Sequence, residues 1–167
     1  MLHGLIYAKH AQHLDTDPNH DFGDEIHDYF GTGTQLQEMY ITPSLLSAED
    51  WDTLAKTAKW SRENADVLVD THWVGGDPAM LEVYGWASWS PRKGILTLRN
   101  PSEKAQDFSV DVQKVFELPS GAPQRYRAQS PWQEGPGQPA IELQAGKAYA
   151  FHLQAFQVIN LDVLPKN

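Results

Sequence analysis

What most constrains this chain is a change of hydrophobic period near residue 80. Beyond it, apolar residues come in short runs ended by turn residues. Val83 to Trp89 mixes aromatic and small residues, and Pro91-Arg92-Lys93-Gly94 turns the chain. Ile95, Leu96 and Leu98 follow, then a second turn at Asn100-Pro101-Ser102. Phe108, Val110 and Val112 alternate with Asp107, Ser109 and Asp111, which predicts one buried face and one wet face. After a proline-rich connection over 119–139 come Ile141 to Leu143, Tyr149 to Leu153, and Val158 to Val163. Short strands at this spacing predict an antiparallel β-sandwich.

The first 80 residues read differently. Residues 2–8 and 37–42 are short apolar strands. Residues 9–35 are polar and rich in Asp, His and Gly, which predicts a long loop with one helical turn around Glu25 to Phe30. A loop that long is uncommon unless it is functional or packs on something. Ser47-Ala48-Glu49-Asp50 is a capping-box start, and Trp51, Leu54, Ala55 and Ala58 recur at helical spacing, so a helix is expected over 48–64. Residues 65–70 return to an extended apolar run, and Gly75-Gly76 closes the unit. The expected class is mainly β, a sandwich over 81–167 preceded by a short α/β segment over 1–80.

Composition narrows the partners. A net charge of −9 opposes nucleic acid and anionic membrane, both of which need a basic surface. It suits carbohydrate or another neutral small molecule, and divalent cations where carboxylates gather. With no cysteine there is neither disulfide nor thiolate metal site. Neither a signal peptide nor a transmembrane run is expected, and localisation is left open.

Three constellations could carry chemistry. Asp15, Asp17, Asn19 and Asp21 alternate, with Asp24 and Glu25 close behind. Such hard oxygens suit calcium. The segment fails the EF-hand pattern, with His20 where the loop needs Gly and Ile26 where it needs Glu. A solvated acidic loop is the plainer reading, and the neighbouring histidines follow no recognised zinc pattern. Asp70 and His72, two residues apart on an extended chain, would share one face and are the weak catalytic candidates. Trp73, Tyr84, Trp86 and Trp89 are candidates for stacking on sugar rings, with core packing as the alternative. On a strand, Tyr84 and Trp86 would share one face and Trp89 would take the other.

Three stretches, Tyr40 to Ser44, ADVLVDTHWVGGDP over 65–78 and YGWASWSPRKGILTLRNP over 84–101, occur in an order that resembles the C-terminal end of the α-galactosidase-like (melibiase-type, enterotoxin-like) glycoside hydrolases. The resemblance implies a (β/α)8 barrel followed by an antiparallel β-sandwich. Residues 2–78 would correspond to the last barrel strands and helix, and 82–164 to the sandwich. The family's two catalytic aspartates lie on earlier barrel strands, and no residue here matches them. The implied function is a non-catalytic, carbohydrate-associated module. Two alternatives stay open: a small calcium-dependent hydrolase of an ester or lactone built on the acidic loop, and a domain that forms homo-oligomers through exposed N-terminal strands.

Overall fold

The structure is a computed structural model that describes residues 21–33, 36–132 and 139–166 in full and 2–7 by their backbone. In chain order the elements are β1 (Leu2–Tyr7), α1 (Phe22–Gly31), β2 (Leu36–Ile41), α2 (Ala48–Glu63), α3 (Ala65–Leu68), β3 (Thr71–Gly75), β4 (Tyr84–Ser90), β5 (Lys93–Arg99), β6 (Gln106–Val110), α4 (Val112–Val115), β7 (Arg125–Gln129), β8 (Ile141–Gln144), β9 (Tyr149–Leu153) and β10 (Val158–Pro165). The protein is mainly β, as the alternation implies.

β1 and β2 pair in parallel, with α1 between them in sequence. A parallel pair needs such a crossover. Sequence reasoning allowed one helical turn here, and the structure has a ten-residue helix. Phe22, Ile26, Tyr29 and Phe30 recur at helical spacing and are all buried, against Ile41, Leu45, Leu46, Leu54 and Ala58. The acidic residues between them hid that period. α2 starts as expected: the Ser47 hydroxyl accepts the Asp50 amide at 3.2 Å, and the Asp50 carboxylate accepts the Ser47 amide at 2.8 Å.

Residues 65–68 overturn an expectation. They form α3 rather than an extended run, with Val67 and Leu68 buried against Trp60 and Ile95. A four-residue apolar run suits either state. Here the Asn64 carbonyl accepts the Val67 and Leu68 amides at 2.9 Å, which closes a helical turn. Val112 likewise leaves the alternating pattern. β6 ends at Val110, and the Asp111 side chain caps α4 by accepting the Gln113 amide at 3.0 Å.

The main sheet is six-stranded and antiparallel, in the order β3-β4-β5-β10-β7-β8. β3 belongs to it, so the compositional divide at residue 80 falls between two paired strands. A two-stranded sheet, β6-β9, forms the second layer. Ala87, Leu96, Leu98, Tyr126, Ala128, Leu143 and Val163 of the main sheet meet Val110, Phe151 and Leu153 of the small one in the principal core. The helices cover the opposite face of the main sheet, with α1 on β5 and β10 and α3 on β4 and β5.

Candidate functional site

Side chains alternate across a strand, so the register fixes what shares a face. Trp73 pairs across the sheet with Trp86, and Trp86 with Thr97. Trp73, Tyr84 and Trp86 therefore stand on the helix-bearing face, on the β3–β4 side of α1. Trp73 and Tyr84 stack nearly parallel, with centroids 5.1 Å apart and planes 6° off. Trp86 meets them edge-on at 5.7 and 5.6 Å. These geometries are favourable for aromatic rings. Trp73 is 52 % exposed, while Tyr84 and Trp86 are half-buried. Three of the four candidate aromatics thus form one cluster. Trp89 stands on the other face, packed against the sandwich core.

Beside Tyr84, Arg99 of β5 donates to Asp28 Oδ2 at 3.0 Å and to both oxygens of Glu25. Glu25 and Asp28 lie on α1, so this guanidinium docks the helix on the sheet. The second Asp28 oxygen, Oδ1, is buried with no hydrogen-bond partner among the described residues. Burial pushes the Asp28 carboxyl up to about 6, although Arg99 pulls the other way. Burial, then the nearby Asp28 charge, also raises the Tyr84 hydroxyl.

The remaining candidates are placed as follows. Asp15, Asp17 and Asn19 of the calcium expectation lie outside the described residues. Asp21 precedes α1, and Asp24 and Glu25 fall in its first turn. Both Glu25 oxygens are engaged by Arg99. Among the described residues no group of three or more His, Asp or Glu is arranged to hold a metal. His72 sits between two carboxylates, with Nε2 3.7 Å from Asp70 and Nδ1 3.5 Å from Glu117. Asp70 and His72 do come together, but Asp70 is 79 % exposed, and the Thr71 hydroxyl between them in sequence is engaged by the Leu68 carbonyl and Ser88. Polar contacts this long and this exposed contribute little.

Sequence reasoning missed the buried polar contacts of this face. Lys93 reaches Asp162 at 2.6 Å and Asn64 at 2.9 Å, and the Trp60 indole donates to Asp162 at 3.2 Å. Asn160 bonds Thr97 at 2.8 Å and the His27 carbonyl at 3.1 Å. The signal was present in the period of β5. Lys93, Thr97 and Arg99 occupy alternate positions among apolar neighbours, the pattern of a strand whose second face is also covered.

No family model matches this sequence, and neither does any curated protein. Solved structures do match. An α-N-acetylgalactosaminidase assignment from Bacillus halodurans aligns with a TM-score of 0.61 at 12 % identity, over 86 % of this chain and 30 % of its own. The Saccharomyces cerevisiae α-galactosidase aligns with a TM-score of 0.59 at 9 % identity, over 86 % and 43 %. The Geobacillus thermoleovorans α-amylase aligns with a TM-score of 0.56 at 13 % identity, over 99 % and 40 %. The chain spans less than half the length of each. At these identities the likeness is one of fold, and it reaches both galactosidases and amylases. This chain has the fold of the C-terminal region of glycoside hydrolases: a short α/β segment joined to an antiparallel β-sandwich.

Proposed function

We propose that the chain is a non-catalytic, carbohydrate-associated C-terminal module of a glycoside-hydrolase-like protein. The observation that carries the reading is the aromatic cluster. Core aromatics bury their rings, whereas Trp73 leaves half of its surface in water while stacked on Tyr84 and backed by Trp86. Exposed indole faces stack on the C–H surfaces of sugars. Residues 2–68 serve as the end of an α/β barrel in this reading, supported by the parallel β1–β2 pair with its connecting helix. β2 leaves Leu36 at 63 % and Tyr40 at 53 % exposed, although strands of parallel sheets are ordinarily covered on both faces. Neighbouring strands of the same protein, or a second copy, would supply that cover.

Titration with raffinose and with maltotriose, followed by tryptophan fluorescence, tests the binding reading. A saturable change is expected with at least one of them, and Trp73→Ala should reduce it without altering the circular dichroism. A flat titration with both sugars, or an unaffected variant, would sink it.

Calcium is a separate proposal, resting on the acidic segment. Because Arg99 holds Glu25, Asp21 and Asp24 would supply the oxygens at the start of α1. Calorimetry with calcium should then give a heat that Asp24→Asn reduces and Glu25→Gln leaves unchanged. No heat, or equal loss in both variants, would overturn that ligand set.

A further inference from the structure

On the other side of α1 from the aromatic cluster, toward β10 and β7, lies a crevice of about 580 Å³. That volume is within the ordinary range for small-molecule sites. α1 lines it with Asp24 and His27, three residues apart on one helix face. Ser130, Trp132 and Asn160 form the facing wall.

The site is held in shape before anything enters it. The His27 ring lies flat on Trp132, with centroids 4.2 Å apart and planes 5° off. One side chain, Asn160, grips both partners: its amide donates to the His27 carbonyl at 3.1 Å, and its oxygen accepts from the Trp132 indole at 3.2 Å. Trp60 packs edge-on against Trp132 at 5.1 Å. Locked rotamers with a supporting shell are what a binding site needs.

The imidazole ring serves this framework by stacking, but its nitrogens do not. Among the described residues nothing hydrogen-bonds either ring nitrogen of His27. Burial lowers its pKa to about 4, so at neutral pH the ring offers one donor and one acceptor. The adjacent Asp24 carboxylate, exposed and accepting from the Val158 amide, offers further acceptors.

These groups select a ligand class. An anion would meet Asp24 and a chain of net charge −9. An apolar ligand would leave the imidazole and carboxylate unpaired, which is costly. A cation gains little from Trp132, because His27 covers one face of the indole and Trp60 packs edge-on against it. A metal lacks a third ligating side chain among the described residues. What remains is a molecule with several hydroxyls, each able both to donate and to accept. We propose that this crevice binds a neutral polyhydroxylated ring of monosaccharide size, with the His27 imidazole and the Asp24 carboxylate hydrogen-bonding its hydroxyls. The site is distinct from the Trp73 cluster and does not rest on it.

Two-dimensional NMR spectra of the chain, titrated at neutral pH with glucose, galactose and arabinose, provide the test. The Trp132 indole resonance should shift saturably with at least one sugar. His27→Phe keeps a ring on Trp132 but removes both nitrogens, and it should weaken binding roughly tenfold or more. Asp24→Asn should weaken it less, and Trp73→Ala should leave it unchanged. If His27→Phe loses its spectral dispersion, Asp24→Asn decides the matter, since that residue is exposed. The proposal is overturned if none of the three sugars shifts Trp132, if His27→Phe or a folded Asp24→Asn binds like the parent, or if only Trp73→Ala abolishes binding. That last result would still support the reading placed on the aromatic cluster.

Discussion

The two faces of β5 do different work with adjacent residues of one strand. Leu96 and Leu98 point into the sandwich, where they are fully buried in a predominantly apolar cluster. Lys93, Thr97 and Arg99 point the other way and hold the helical segment, Arg99 through ion pairs and the other two through hydrogen bonds, with Ile95 the apolar member of that face. The apolar face is tolerant of detail, because hydrophobic burial has no direction. The polar face is specific, because each buried charge needs its own partner and is penalised without it. Attachment of the α/β segment therefore depends on a few groups, whereas the sandwich depends on many.

That contrast can be broken or sharpened by experiment. Leu98→Ala should have the largest effect, destabilising the protein by about 4 kcal/mol through lost burial and a cavity. Its effect should be independent of pH, read as a constant shift of the urea midpoint. Arg99→Leu should cost about 3 kcal/mol at neutral pH, because it strands the Asp28 carboxylate and frees Glu25. Unlike Leu98→Ala, it should act locally, raising amide exchange in α1 before the sandwich strands. Its cost should shrink in acid, since an Asp28 without Arg99 binds a proton more readily. Equal losses of protection in α1 and β5 would contradict the division of labour between the faces.

The smallest effect is in the pH dependence of the parent protein. The Asp28 pKa is raised from 3.8 to about 6, so its contribution is fully present below 3.8 and is lost as pH rises through 6. The His27 pKa is lowered from 6.5 to about 4, so its contribution is fully present above 6.5 and is lost as pH falls through 4. The two slopes oppose each other between about 4 and 6, so these two contributions should largely cancel in the parent there. Asp28→Asn should expose a fall in stability toward acid, and His27→Phe a rise. Variants that both keep the parent's slope there would show that α1 is not held as described.

How much was readable in advance differs between the same two faces. Most strands of the sandwich were marked by alternation or by a turn beside them, because a half-buried antiparallel strand writes its period into the sequence. β7 was missed: Arg125–Gln129 falls within the stretch 119–139 expected as a proline-rich connection, yet it pairs between β10 and β8. The start of α2 was marked by Ser47 and Asp50, a purely local device. α1 was obscured, because Asp24, Glu25 and Asp28 looked like part of an acidic loop. Two of them are in fact committed to Arg99, more than seventy residues away. α3 was misread because Val67 and Leu68 satisfy either backbone state. The aromatic set was found as residues, but only the register separates Trp89 from the other three.

The sequence by itself determined the β-sandwich, the capped helix, the acidic balance and the residue types of the aromatic cluster. These follow from local period, local capping and composition, which one stretch of chain expresses alone. Tertiary structure alone decided that β3 joins the main sheet, that Arg99 pairs with Glu25 and Asp28, and that His27 lies on Trp132 under the grip of Asn160. Those outcomes bring together groups far apart in the chain, and no local pattern encodes which distant partner a buried polar group will find.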